Sequence, residues 1–130
     1  KRGVFALDTA LFLHDLTDRT PHKFHMAFPY GYNTSSPKAA GILCSCKKEP
    51  YYSLGIALVD TPAGNTVRAY NAEKTLCEIL KPISHTDIQI ITDAFKRYAG
   101  RKDKNIPLLS EYAHQLRVEK RLRPYLEVLL

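Results

Sequence analysis

The densest group of side chains able to act on a substrate or hold a metal is His14-Asp15-Leu16-Thr17-Asp18-Arg19. Asp15 and Asp18 offer hard oxygen ligands of the kind that bind a divalent cation. With His14 beside them they would be the members of any acid–base site here. Aspartate and threonine just past a helix are also ordinary turn formers that hydrogen-bond local backbone, and that reading takes precedence. Cys44-Ser45-Cys46 has a single residue between its thiols, whereas structural zinc sites use a spacing of roughly two to four and need a second ligand pair. His22 and His25 lie nearby in sequence, but on a strand both cysteines point to one side and pass for small core residues. The sequence has no phosphate-binding glycine loop, nucleophile elbow or zincin helix. No catalytic residue, metal or cofactor is assigned, and an enzyme is not expected.

Charge gives a stronger signal. Between Lys96 and Arg123 lie nine basic residues, Lys96, Arg97, Arg101, Lys102, Lys104, Arg117, Lys120, Arg121 and Arg123, against three acids. That excess equals the whole net charge of +6, so the remainder of the chain is balanced. Arg117, Lys120 and Arg121 stand at i, i+3 and i+4, the spacing of one helix face, opposite Val118, Leu122 and Tyr125. Asp93 sits four residues before Arg97 and Glu119 four before Arg123, so local pairing offsets part of the charge. A basic segment of this kind points to an anionic partner and, if that partner is a nucleic acid, to strongly salt-dependent binding. Tyr30 and Tyr32, with Tyr51 and Tyr52 further on, fall in or beside loops and form a candidate interface that stacks on bases or anchors a protein.

These residues need elements to hold them. Asp8-Thr9 reads as the N-cap of a short helix carrying Leu11, Leu13 and Leu16, followed by a turn through Pro21. Phe24, Met26 and Phe28 alternate with Lys23, His25 and Ala27 as a strand does. Tyr30 to Gly41 is expected to be a loop, and Ile42 to Cys46 a second strand. Leu54–Val59 and Asn65–Tyr70 form a hairpin about Thr61-Pro62-Ala63-Gly64. Asn71 caps a helix burying Leu76, Ile79 and Leu80 and closed by Pro82. Ser84 with Asp87 resembles a capping box opening a helix with Ile88, Ile91, Phe95 and Tyr98 inward and Gly100 as its stop. Pro107 suits the first turn of the next helix, with Leu109, Tyr112, Ala113 and Leu116 inward. The last helix aligns Val118, Leu122, Tyr125, Leu126 and Leu129, and Pro124 should bend or break it near Leu122 at a cost of ~3 kcal/mol. The expected fold is α+β: an N-terminal helix, a small mostly antiparallel sheet and a C-terminal four-helix region.

The 130 residues fit one domain, 1–130, long enough to bury roughly two-thirds of the unfolded surface. A hydrophobic fraction of 45% is that of a globular chain. No apolar run approaches the ~18 residues of a membrane span, so no membrane partner is expected. Three cysteines do not make a disulfide framework, which fits a reducing, cytoplasmic setting. Oligomeric state stays open.

Several stretches, in order along the chain, resemble the AbiEi family of antitoxins. Asp8 to Pro21, DTALFLHDLTDRTP, is similar to that family's TALxLHxLTDRxP segment. The likeness continues through Phe28–Asn33, Thr61–Asn65, Tyr70–Ile79, Phe95–Tyr98, Arg101–Asn105 and Val118–Leu130. The resemblance implies the C-terminal antitoxin domain of a type IV toxin–antitoxin, or abortive infection, system that defends against phage. It implies a nucleotidyltransferase-like toxin counteracted without a tight complex, and autorepression of the operon. DNA reading in that family belongs chiefly to an upstream winged helix-turn-helix domain, expected to precede Lys1, with the basic face of this domain assisting at the operator. The alternatives are a protein- or RNA-binding module without a DNA role, or an enzyme whose activity leaves no sequence signature.

Overall fold

A computed structural model of the chain describes residues 3–129, with side chains through Glu127. It is an α+β protein with a single five-stranded sheet. The strands are β1 (Val4–Phe5), β2 (His25–Pro29), β3 (Leu43–Lys47), β4 (Ile56–Asp60) and β5 (Thr66–Tyr70). The helices are α1 (Leu7–Leu13), α2 (Ser35–Ala39), α3 (Ala72–Ile79), α4 (Ile88–Ala99), α5 (Ile106–Leu116) and α6 (Glu119–Leu129), with a 3₁₀ turn at Pro82–Ser84.

The sheet runs β3-β2-β1-β5-β4 and is mixed rather than mostly antiparallel. β1–β2 and β4–β5 are antiparallel, while β2–β3 and β1–β5 are parallel. Hairpin chemistry announces itself locally; parallel pairing between distant segments has no such signature. The central strand is Val4–Phe5, ahead of the helix expected to open the domain, and it is too short for alternation to reveal. One face of the sheet buries Val4, Ala27 and Tyr70 beneath Tyr52, and Leu7 joins that cluster to the helical core. In the helical core Leu11, Leu16, Leu76, Phe95, Tyr98, Leu109 and Leu122 are almost wholly excluded from water.

Two helices end differently from expectation. α1 begins at Leu7 behind Ala6, with Asp8 inside the first turn rather than at the cap. The side chain of Asp8 bonds the neighbouring Thr9 N–H at 3.0 Å. Asp87 alone caps α4, accepting from Gln89 N–H at 2.9 Å, and Ser84 belongs to the preceding 3₁₀ turn, bonded to Ile79 O and Thr86. Ile88, expected inward, is 62% exposed because it sits in the first turn beyond the core contact. Gly100 ends α4 at φ −83, so it is not a left-handed cap. Asn71 caps α3 as expected, and α5 has an unexpected cap, Asn105, each acting through its side chain.

The Tyr30–Gly41 segment contains α2 instead of being wholly irregular, with Pro37 inside its first turns. Cys44 is half-buried and Cys46 exposed, so they are not core residues: their strand β3 is an edge of the sheet. α6 is one continuous helix through Pro124, without the expected break at Leu122. Pro124 is the sixth residue of the helix, past its first turn, and the helix continues although the Lys120 carbonyl loses its i+4 N–H donor. The side chain of Leu129 lies outside the described residues. Among the described residues no helix is long and apolar enough to cross a membrane.

Candidate nucleic-acid interface

Packing divides the basic segment into committed and uncommitted cations. Arg101 is committed. Its Nε and Nη2 donate to the Asp103 carboxylate at 2.9 Å each, and Nη1 donates to His14 O at 2.9 Å, tying the α4–α5 loop to the end of α1. Lys104 donates to Arg101 O at 3.1 Å. Arg97 meets Asp93 one turn back at 2.9 Å and Asp18 at 3.8 Å. Arg97 and Arg101 are thus paired with carboxylates, while Lys104 is tied to a carbonyl that leaves its charge uncompensated.

Arg117, Lys120 and Arg121 are exposed and gather with Glu119 around a shallow depression of about 460 Å³ at the α5–α6 junction. They are not on one helix face, as their spacing implied. The chain turns between them: Arg117 is the C-cap of α5 at φ +60, and α6 starts at Glu119. The turn nonetheless brings the three cations to one hollow beside the first turn of α6, where the positive end of the helix dipole adds to their charge. Glu119 does not pair with Arg123 four residues on. It is held instead by His114 Nδ1 at 2.9 Å, a contact that turns its carboxylate towards α5. Arg123 is exposed along the adjoining groove with Ser110, Leu122 and Leu126. Lys96 and Lys102 are exposed elsewhere, Lys96 beside Ile88, Gln89, Thr92 and Asp93 on α4.

α6 is seated by Phe95 and Tyr125, whose rings stack at 4.4 Å and 15° between planes, and by buried Val118 and Leu122. The charged side of its first turn faces outward because Leu122 faces in. The geometry can bind an anion through point charges and amide dipoles; among the residues lining the depression there is no nucleophile–base pair.

The remaining candidates separate. His14 Nε2 bonds Tyr70 O at 2.8 Å, and burial lowers the pKa of its imidazole. Asp18 turns to Arg97 instead, so His14 and Asp18 do not converge. Asp15 stands in a left-handed turn at φ +58. His25 shares its sheet face with Ser45, 3.4 Å from Nε2, whereas Cys44 and Cys46 pair in register with Met26 and Phe28 on the opposite face. Strand alternation therefore keeps the histidine from the thiols.

Tyr30 is 70% exposed, with the Lys48 ammonium 5.0 Å from its ring centroid. Tyr32 is not a free loop aromatic. It stacks on Phe28 at 5.0 Å and lines an apolar cleft of about 390 Å³ with Phe5, Met26, Pro37 and Ile42. The chain matches no protein-family model and no curated protein.

One polar network is invisible to sequence reasoning. Lys74 is wholly buried; its Nζ donates to Tyr51 O at 2.8 Å and Leu54 O at 3.0 Å, lies 3.6 Å from Glu78 Oε2 and covers the Tyr70 ring at 3.8 Å. Lys47 completes it, 2.9 Å from Glu78 Oε1. Gly55 makes room for this lysine: at φ +83, a Cβ there would stand 2.7 Å from Lys74 Cβ. The sequence carries one hint, three charges on α3 among the apolar positions that the helix must bury.

Proposed function

We propose that this chain is an antitoxin domain of the AbiEi type, counteracting a nucleotidyltransferase-like toxin and contacting nucleic-acid phosphate at the α5–α6 junction. The observation that supports the phosphate contact is the clustering of Arg117, Lys120 and Arg121 around one depression, while Arg97 and Arg101 are paired with carboxylates. The arginine at position 117 adds weight. It occupies a left-handed helix cap at φ +60, where glycine is the less costly residue, so a strained backbone presents a cation. The toxin-directed role rests on the resemblance of the motif segments, above all DTALFLHDLTDRTP.

The experiment is growth rescue. Cells expressing the neighbouring nucleotidyltransferase-like toxin should recover when this chain is co-expressed, and failure of the folded chain to rescue would sink the antitoxin reading. Double charge reversal, Arg117→Glu with Arg121→Glu, should weaken binding of this chain to operator DNA. Its log–log salt slope should drop by about one unit for each phosphate no longer neutralised.

A protein- or RNA-directed role without DNA contact is favoured by a different observation, the exposed Tyr30 with Lys48 beside it. Under that reading Tyr30→Ala impairs rescue and leaves operator binding unchanged.

A further inference from the structure

Of Tyr30, Tyr32, Tyr51 and Tyr52, the fold consumes two. Tyr32 stacks on Phe28, and Tyr52 is buried with Val4, Ala27 and Tyr70. Tyr30 and Tyr51 remain at the surface, 70% and 37% exposed, and each has a lysine ammonium over its ring. Lys48 Nζ lies 5.0 Å from the Tyr30 centroid, and Lys81 Nζ lies 5.9 Å from that of Tyr51. Hydrogen-bonded backbone brings the two pairs to one end of the sheet. Tyr30 follows β2 and donates its N–H to Lys47 O, the last residue of β3, at 2.9 Å. Lys48 O accepts the Tyr52 N–H at 3.0 Å, closing a turn that carries both Lys48 and Tyr51. Lys74 Nζ holds that turn through Tyr51 O at 2.8 Å. The Lys47–Glu78 pair ties the end of β3 to the end of α3, whose C-cap Leu80 precedes Lys81.

Nearby carboxylates do not cancel these two lysines. Glu78 is buried and held by Lys47 and Lys74. Glu49 is turned to Ser53, accepting its N–H at 3.1 Å and its hydroxyl at 2.6 Å. Among the described residues Lys48 and Lys81 form no ion pair. An ammonium resting on an exposed ring is held weakly. Each lysine can therefore leave its ring for an anion at small cost, and the ring face is then free for a planar partner.

We propose that Tyr30, Lys48, Tyr51 and Lys81 form a binding face for a single-stranded polynucleotide, with bases stacked on the two rings and phosphates met by the two ammoniums. The alternation of chemistries selects this occupant. A tyrosine ring takes a planar group on its face and a lysine takes an anion, so two such pairs side by side fit a ligand that alternates base and phosphate. An acidic peptide would use the lysines and leave the rings idle. A free nucleotide would fill only one pair. In a duplex the bases are already stacked on one another, and only phosphates would reach this face. Ring faces and ammoniums read neither a base edge nor a 2′-hydroxyl, so RNA and DNA strands share the chemistry. The inference rests on the Tyr30-centred reading above and names its ligand class; Arg117, Lys120 and Arg121 take no part in it.

The chain has eight tyrosines and no tryptophan, so stacking is read directly as quenching of tyrosine emission. Oligo-dT and oligo-rU are titrated into the whole chain in separate arms; quenching by either supports the face, and the tighter arm names its source. The quenching should persist in the R117E/R121E double variant and be absent with a duplex of the same length. Tyr30→Ala and Tyr51→Ala should each weaken binding by about 5-fold or more, the loss of one stacked base. Tyr30→Phe keeps the ring and should bind as wild type does. Lys48→Met with Lys81→Met should flatten the log–log salt slope by about 0.7 for each lysine. Tyr30 and Lys48 are exposed, so their variants should keep the wild-type denaturation midpoint. Absence of quenching by both oligonucleotides overturns the proposal. So do equal quenching by the duplex, loss of quenching in R117E/R121E, and wild-type affinity in Y30A. Growth rescue separates the face from the reading beneath it. Y30A that loses the oligonucleotide yet rescues growth supports the face and sinks the Tyr30-centred role; Y30A that fails to rescue yet keeps the oligonucleotide sinks the face alone.

Discussion

The Tyr98 hydroxyl donates to Glu73 Oε2 at 2.6 Å, joining α4 to α3 inside the core. The Tyr98 hydroxyl oxygen also accepts the Asn105 N–H at 2.7 Å, so one phenol fixes two helices and the loop that caps α5. Tyr98→Phe keeps the ring and its packing but leaves the buried Glu73 carboxylate without that donor. A hydrogen bond to a charged group contributes about 1.5–3 kcal/mol, and a loss in that range is expected in urea denaturation. A change within error would show that Glu73 finds another donor.

Lys74 should be the most costly polar position to truncate. Lys74→Met preserves much of the volume but strands the Tyr51 and Leu54 carbonyls and half of the charge balance around Glu78. Breaking a buried pair from one side costs about 3–5 kcal/mol. Burial brings the Lys74 pKa down to about 8, the Glu78 carboxylate opposing that shift. Between pH 8 and the ordinary lysine range the unfolded chain therefore holds a proton that the fold does not, so this residue's contribution to stability rises with pH. Burial pushes the Cys77 thiol up to about 12, which acts in the opposite sense above pH 9. Denaturation midpoints measured from pH 7.5 to 9 should rise more in wild type than in K74M; equal slopes would remove Lys74 as the titrating group.

Acid should loosen the fold through His14 and His25. Burial lowers both pKa values, so below pH 6.5 the unfolded chain binds protons that the folded chain resists. Stability is accordingly full above that pH and declines as the solution is acidified. The urea midpoint should fall between pH 7 and pH 5. His14→Gln retains an N–H donor for Tyr70 O but cannot titrate, and should flatten part of that fall. An unaltered pH profile in H14Q would leave His14 out of the effect.

How far the sequence was legible follows from the range of the forces involved. The hairpin around Gly64, the Asn71 cap and the inward set Leu109, Tyr112, Ala113 and Leu116 depend on residues a few positions apart, and all are found where local chemistry puts them. The parallel neighbours of β1 and β2 depend on segments far apart in the chain, and a two-residue strand leaves no period to detect. In the candidate site, spacing named Arg117, Lys120 and Arg121 correctly as neighbours but for the wrong reason. They meet across a turn, not along a helix. Arg101 reads like any loop cation until its bond to His14 O, 87 residues away in sequence, is seen. Charge counting cannot separate a cation that binds outward from one that ties the fold together.

Arg117 allows strain and binding to be read in one substitution. Its left-handed backbone at φ +60 costs a side-chain-bearing residue about 1–2 kcal/mol relative to the right-handed region, and glycine avoids most of that. Arg117→Gly should therefore raise the denaturation midpoint by an amount equivalent to about 1 kcal/mol. The same change removes one of the three cations at the depression, and nucleic-acid affinity should drop with a salt slope shallower by about one unit. Arg117→Lys should keep the wild-type stability and most of the slope, because it retains both the strain and the charge. A glycine variant that is less stable would mean that the Arg117 side chain stabilises the fold by more than its backbone costs. One that is more stable but binds with the wild-type slope would place phosphate contact elsewhere on the basic segment.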